Sequence, residues 1–253
     1  MARPSLQRTL LAGVLLVASA LAAAAGGDTP RWGYHGRNGT QAWGDLAPGF
    51  AVCKLGRLQA PIDIRNADAK TAPLPPIRFS YAPARAVVVN NGHSIQVEIP
   101  AGGQLALEDG EYTLEQFHFH APSEEKIDGK PYAMVAHLVH RNAQGKLAVV
   151  AVLMKQGAAN AALKPVFDHM PGRPGGKHAL QAHLNLTDLL PADRAYYRFK
   201  GSLTTPPCSE EVSWQVLKQP VEISKAQLAA LRKLYPMNAR PTQPLNGRTV
   251  EQN

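Results

Sequence analysis

The chain has 253 residues, a formal charge of +8 and two cysteines, which is enough length for one sizeable domain with its own hydrophobic core. Its positive residues are dispersed and its few aromatics do not interleave with them, an arrangement that argues against a nucleic-acid surface. There is no Gly-x-Ser-x-Gly elbow, P-loop or second metal-ligand cluster in the sequence, so the enzyme classes built on those motifs have no support.

In chain order, Arg3 and Arg8 precede an apolar run over residues 10–21, and alanines continue through Ala25. Residues 1–25 therefore read as a secretory signal peptide, with Ala18-Ser19-Ala20 and Ala22-Ala23-Ala24 as small-residue options for cleavage between about residues 20 and 28. The run is short for a retained membrane span, which needs about 20 residues. Cleavage removes Arg3 and Arg8, lowering the charge from +8 to +6, and implies a periplasmic or secreted protein with residues 29–253 as a single domain. In an oxidising compartment Cys53 and Cys208 either form one disulfide or stay as two buried thiols.

Residues 32–43 are rich in Gly and polar side chains and read as irregular, while Pro73, Pro75, Pro76 and Pro83 argue against a long helix. Strands are expected over 86–89, 94–99, 111–120, 132–141 and 147–154, separated by Asn91-Gly92, Asp109-Gly110, Asp128-Gly129 and Gln144-Gly145 turn signals. A helix is expected over 158–169 and a short helical turn over 186–190, closed by Pro191. Another begins at the capping box Ser224-Lys225-Ala226-Gln227 and ends near Tyr235-Pro236. The strand connections are too short for regular βαβ crossovers, so the fold class is mainly β, a large sheet with peripheral helices.

Within the third strand, Glu115-Gln116-Phe117-His118-Phe119-His120 alternates so that His118 and His120 share one face and Phe117 and Phe119 the other. His137, in the next strand, can join them from a neighbouring position. Three neutral imidazoles suit Zn2+ and leave a fourth tetrahedral position for water, the arrangement of a catalytic site.

Together with Ser202-Leu203-Thr204-Thr205-Pro206-Pro207, these histidines make the chain resemble an alpha-class carbonic anhydrase of the exported bacterial type. The resemblance runs from Trp32-Gly33-Tyr34 through Gln59-Ala60-Pro61-Ile62-Asp63-Ile64 and Asn90-Asn91-Gly92-His93 to Arg240-Pro241-Thr242-Gln243-Pro244-Leu245. It implies a large, mostly antiparallel twisted central sheet with a conical active site, and reversible hydration of CO2 to bicarbonate and a proton by zinc-bound hydroxide. CO2, water, bicarbonate and proton buffers are then its partners. Exported bacterial relatives often form dimers, which leaves a homodimer open.

By the same resemblance, His118, His120 and His137 are the zinc ligands. Thr204 accepts a hydrogen bond from the hydroxide, Glu124 orients Thr204, and Thr205 helps to position bicarbonate or water. His93 matches the proton-shuttling histidine, and an imidazole suits that task because it titrates near neutral pH. Tyr34, Asn90 and Asn91 match the polar wall that holds the water network, and Gln116 the amide that orients His118. Val139, Val149, Leu203, Val212 and Trp214 match the apolar wall that receives CO2, and Cys53 and Cys208 match the disulfide of bacterial relatives.

Two positions depart from the family pattern. Val135 stands where a glutamate is expected to bond the non-metal nitrogen of His137, and Glu125 stands where a histidine is expected. Losing such a partner typically costs about 10- to 100-fold in metal affinity or activity, so faster zinc exchange or lower turnover is expected. Noncatalytic relatives lose a zinc-ligand histidine, whereas all three stand here.

Overall fold

The structure is a computed structural model that describes residues 30–100 and 102–253. The segment read as a signal peptide lies outside the described residues. Strands dominate, as the alternating apolar pattern requires. In chain order the main ones are β1 (Lys70–Thr71), β2 (Val87–Asn90), β3 (Ile95–Glu98), β4 (Gly110–His120), β5 (Met134–Arg141), β6 (Leu147–Gln156), β7 (Lys177–Ala179), β8 (Tyr196–Ser202), β9 (Glu210–Leu217) and β10 (Glu251–Gln252). They form one sheet in the order β7-β2-β3-β4-β5-β6-β9-β8-β10-β1, and Arg78–Tyr81, Gly103–Leu107 and Val221–Ile223 complete its 13 strands. Most pairs are antiparallel, but β6 runs parallel to β9 and to Val221–Ile223, and β10 runs parallel to β1. The sheet is therefore mixed and mostly antiparallel.

Each face of the sheet carries a core. Phe117 and Phe119 belong to the first, together with Val166 and Phe167 of the helix Lys164–Asp168 and Leu228 and Leu231 of the helix Lys225–Leu234, and the Phe119 ring meets that of Phe167 with centroids 5.5 Å apart. Burying a phenylalanine of this kind is worth about 1.5–3 kcal/mol relative to exposure. Val135, Val139, Val149, Ala151, Val212 and Trp214 form the second. Between the two, β5 is buried at every position from Met134 to His140, so a strand crossing the middle of the molecule can carry a histidine deep inside it.

The expected strands are present with small shifts. β5 starts at Met134 rather than 132, because Tyr132 is engaged elsewhere: its N–H donates to Ser123 Oγ at 2.8 Å and its carbonyl accepts from Ser123 N at 3.0 Å. β6 continues to Gln156 because Val221–Ile223 pairs with Met154 through Gln156. The helix Lys225–Leu234 carries both halves of its expected capping box. The helix expected over 158–169 is confined to Lys164–Asp168, with Pro165 in its first turn. Proline lacks an N–H and its ring obstructs the preceding turn, so it starts a helix but does not sit within one. The Asn160 side chain closes the loop ahead of it, accepting from Leu163 N at 3.2 Å.

Candidate metal centre

β4 and β5 pair antiparallel with His137 directly opposite His118 and Val135 opposite His120. That register converts an alternation along one strand into a three-histidine cluster across two. One ring nitrogen from each of His118, His120 and His137 lies within 4.8 Å of the others.

The opposite nitrogen of every ring is held by the protein. His118 Nδ1 meets Gln116 Oε1 at 2.9 Å, and His120 Nδ1 meets the carbonyl oxygen of Asn238 at 2.7 Å. His137 Nε2 meets the two carboxylate oxygens of Glu125 at 3.0 and 3.2 Å. These contacts leave His118 Nε2, His120 Nε2 and His137 Nδ1 free for a metal, and His120 Nε2 is buried without any hydrogen-bond partner. A buried, unpartnered imidazole nitrogen is costly unless something coordinates it. The donor set therefore fits a zinc-type ion, with three nitrogens and room for a further ligand.

Electrostatics favour neutral rings at His118 and His120, while His137 is shifted the other way by the carboxylates beside it. Burial, aided by His137, pushes the His118 pKa down to about 3, and burial also holds His120 well below its ordinary value. At His137 burial acts to lower the pKa, but the Glu125 and Glu124 carboxylates outweigh it and hold the ring above its ordinary value. Glu124 is fully buried beside the cluster, and its Oε1 accepts from Arg240 N at 2.7 Å. Burial raises its pKa to about 7, opposed by His137, the Arg240 amide and the Thr204 hydroxyl. Thr204 is the hydroxyl side chain that acts on this carboxylate, and Glu124 Oε2 is buried without a hydrogen-bond partner among the described residues.

The cluster sits in a cavity of about 200 Å³. Tyr34, Asn91, His93, Gln116 and Thr205 contribute polar lining, and Val139, Val149, Leu203 and Trp214 contribute apolar lining. Two expected members are elsewhere. The Asn90 amide is consumed by the scaffold, donating to the Pro171 carbonyl at 2.9 Å and accepting from Gly92 N and the Tyr235 hydroxyl. Val212 packs in the core behind Val139, Val149 and Trp214, outside the cavity lining.

His93 stands in the Asn91-Gly92 turn, where Asn91 Oδ1 accepts from His93 N at 2.9 Å and Ser94 N at 2.8 Å. Gly92 has φ +89, a left-handed conformation that glycine adopts without a steric penalty. The His93 ring stacks on Trp32 with centroids 3.5 Å apart and planes 7° from parallel, and partial burial lowers its pKa.

Cys53 and Cys208 form a disulfide across 155 residues. Cys208 N donates to the Thr205 carbonyl at 2.9 Å, a local backbone bond that closes the turn following Thr204 and Thr205. Sequence reading missed Trp32 under His93, Asn238 behind His120 and Arg240 behind Glu124. Asn238 also donates to the His93 carbonyl at 3.1 Å, which ties that turn to the ligand strand. No local pattern around residue 238 announces this, because its partners lie more than a hundred positions away.

With this geometry in place, comparison with known proteins is specific. A family profile described as eukaryotic-type carbonic anhydrase matches residues 38–253. A carbonic anhydrase of Neisseria gonorrhoeae is 43% identical over 252 residues, covering 98% of this chain and 99% of that protein. One from Pectobacterium carotovorum is 40% identical over 238 residues, covering 94% and 97% respectively. The alpha-carbonic anhydrase of Thermovibrio ammonificans, solved with the inhibitor sulfanilamide, superposes with a TM-score of 0.87 at 46% identity, covering 88% of this chain and all of that one.

Proposed function

Because this chain belongs to the alpha-class carbonic anhydrase family and is an enzyme of CO2 hydration, we propose that His118, His120 and His137 hold a Zn2+ ion and that the surrounding residues carry out the reaction around it. The observation that carries this reading is the convergence of three imidazole nitrogens within 4.8 Å, one of them buried and unpartnered. When bound, zinc supplies a Lewis acid that brings the pKa of its water down to about 7 and so provides a nucleophile at neutral pH.

The chain's own residues aim and confine that nucleophile. Glu124 accepts the Thr204 hydroxyl proton, which leaves Thr204 Oγ with only lone pairs facing the cavity. Thr204 then accepts from any donor beside it and so admits the attacking oxygen in one orientation. Val139, Val149, Leu203 and Trp214 offer CO2 a weakly hydrated wall. Thr205, Tyr34 and Asn91 hold waters and leaving bicarbonate on the polar side. His93 takes the released proton on one ring nitrogen and passes it from the other to buffer, with Trp32 fixing the ring plane.

The same reading assigns residues 1–25 as an exported leader cut between about residues 20 and 28, with 29–253 as one catalytic domain in the periplasm or outside the cell. The Cys53–Cys208 disulfide accords with an oxidising compartment, and among the described residues no helix is long and apolar enough to cross a membrane. Stopped-flow CO2 hydration by zinc-loaded protein, beside an apo control and a His137→Ala variant, tests the proposal. Turnover lost in both controls is expected; turnover that survives metal removal would overturn it.

A further inference from the structure

The position two residues before His137 on β5 is Val135, and its side chain lies among Val139, Val149, Ala151 and Leu153 with nothing to offer a ring nitrogen. Residues two apart on a strand share a face, so this is where β5 itself would have supplied a partner for His137. The partner comes instead from the loop between β4 and β5. Both oxygens of Glu125 reach His137 Nε2, at 3.0 and 3.2 Å, and the carboxylate makes no other hydrogen bond or ion pair among the described residues.

Both side chains are sealed from water, with Glu125 0% and His137 1% exposed. A buried carboxylate with no lysine or arginine beside it is unfavourable unless a donor compensates it. Here the His137 N–H is that donor. The loop is built to place it: Ser123 Oγ donates to the Glu125 carbonyl at 2.7 Å and accepts from Tyr132 N at 2.8 Å. Ser123 thereby clamps the segment carrying Glu125 to the chain entering β5.

We propose that Glu125 is the positioning residue for His137. Its carboxylate holds the ring proton on Nε2 and turns Nδ1 toward the metal, a task performed from residue 125 while the neighbouring strand position is occupied by a valine. The assignment rests on His137 being a ligand, as proposed above. It revises the expectation of a weakened site: the chain has moved the carboxylate, not lost it, and Glu125 and Val135 form an exchanged pair. A partner held on a donor ring fixes both tautomer and orientation, and its loss costs about 10- to 100-fold in metal affinity or activity.

The test uses the full chain loaded with zinc, and measures zinc dissociation into excess chelator together with the visible spectrum of the cobalt(II)-substituted protein. Glu125→Ala and the near-isosteric Glu125→Gln are expected to release zinc about 10- to 100-fold and up to about 10-fold faster, respectively, and to change the cobalt spectrum. Val135→Glu alone should bring no slowing, since two buried carboxylates would compete for one N–H. Glu125→Ala combined with Val135→Glu should recover most of the loss, because a carboxylate again shares a face with His137. Zinc release from a folded Glu125→Gln at the parent rate, or a double variant no better than Glu125→Ala, would overturn the assignment. A parent that takes up no zinc would overturn the ligand set itself, and the two failures are distinguishable before any variant is made.

Discussion

Replacing both cysteines, as Cys53→Ser with Cys208→Ser, should weaken the fold substantially while leaving the folded site nearly intact. The bridge closes 155 residues, for which the chain-entropy relation gives about 5 kcal/mol at 25 °C, and measured losses for native bridges are typically about 2–5 kcal/mol. The native geometry has other supports. The Cys53 carbonyl accepts from Arg240 Nη2 at 2.9 Å and the Cys208 carbonyl from Gln59 Nε2 at 3.1 Å, while Trp43 and Phe50 pack around the pair. The penalty therefore falls mainly on the unfolded chain, which becomes free to expand. Urea unfolding followed by circular dichroism should show a loss of about 2–5 kcal/mol with a larger m-value. At roughly 2–4 °C per kcal/mol for a domain of this size, the Tm should fall by roughly 10 °C. CO2 hydration at 25 °C, below the transition, should stay close to the parent. A stability loss under about 1 kcal/mol would refute the unfolded-state account. Abolished turnover in protein that is still folded would show that the bridge holds the Thr204-Thr205 loop directly.

Glu124→Gln should lower kcat/KM by about 10²- to 10³-fold with zinc content unchanged, because an amide can donate to Thr204 and reverse the direction of that hydrogen bond; stopped-flow turnover beside metal analysis checks it. His93→Ala should lower kcat up to about 10²-fold in dilute buffer with little change in kcat/KM, and added imidazole should restore it. Burial on Trp32 lowers the His93 pKa, so Trp32→Ala should raise it toward the ordinary histidine value, and an NMR titration of the ring that shows no upward shift would remove Trp32 from the account.

Much of this architecture is written in local pattern. The alternation through 115–120 is a property of strand geometry alone, and it put two histidines on one face and Phe117 and Phe119 on the other before any tertiary contact was known. The capping box at Ser224 and Gln227 is equally local and appears as expected. The proline that shortens the expected helix at 158–169 was visible too, and its preference for the first turn puts the start within one residue of the observed Lys164.

Motif resemblance carried the reading further, giving Thr204 and Glu124 their roles and matching the cysteine pair to a disulfide, but it registered Val135 and Glu125 only as two separate departures. The register that sets His137 opposite His118 depends on the pairing of two strands, and the donation from Glu125 depends on a loop fold clamped by Ser123. Asn238 reaches His120 across 118 residues of chain and Arg240 reaches Glu124 across 116. Periodicity is dictated by covalent geometry within a few residues, so sequence alone determines which side chains share a face. Which group satisfies a buried nitrogen is decided by packing among segments remote in the chain, where several carboxylates and carbonyls compete and only the closed tertiary structure selects one.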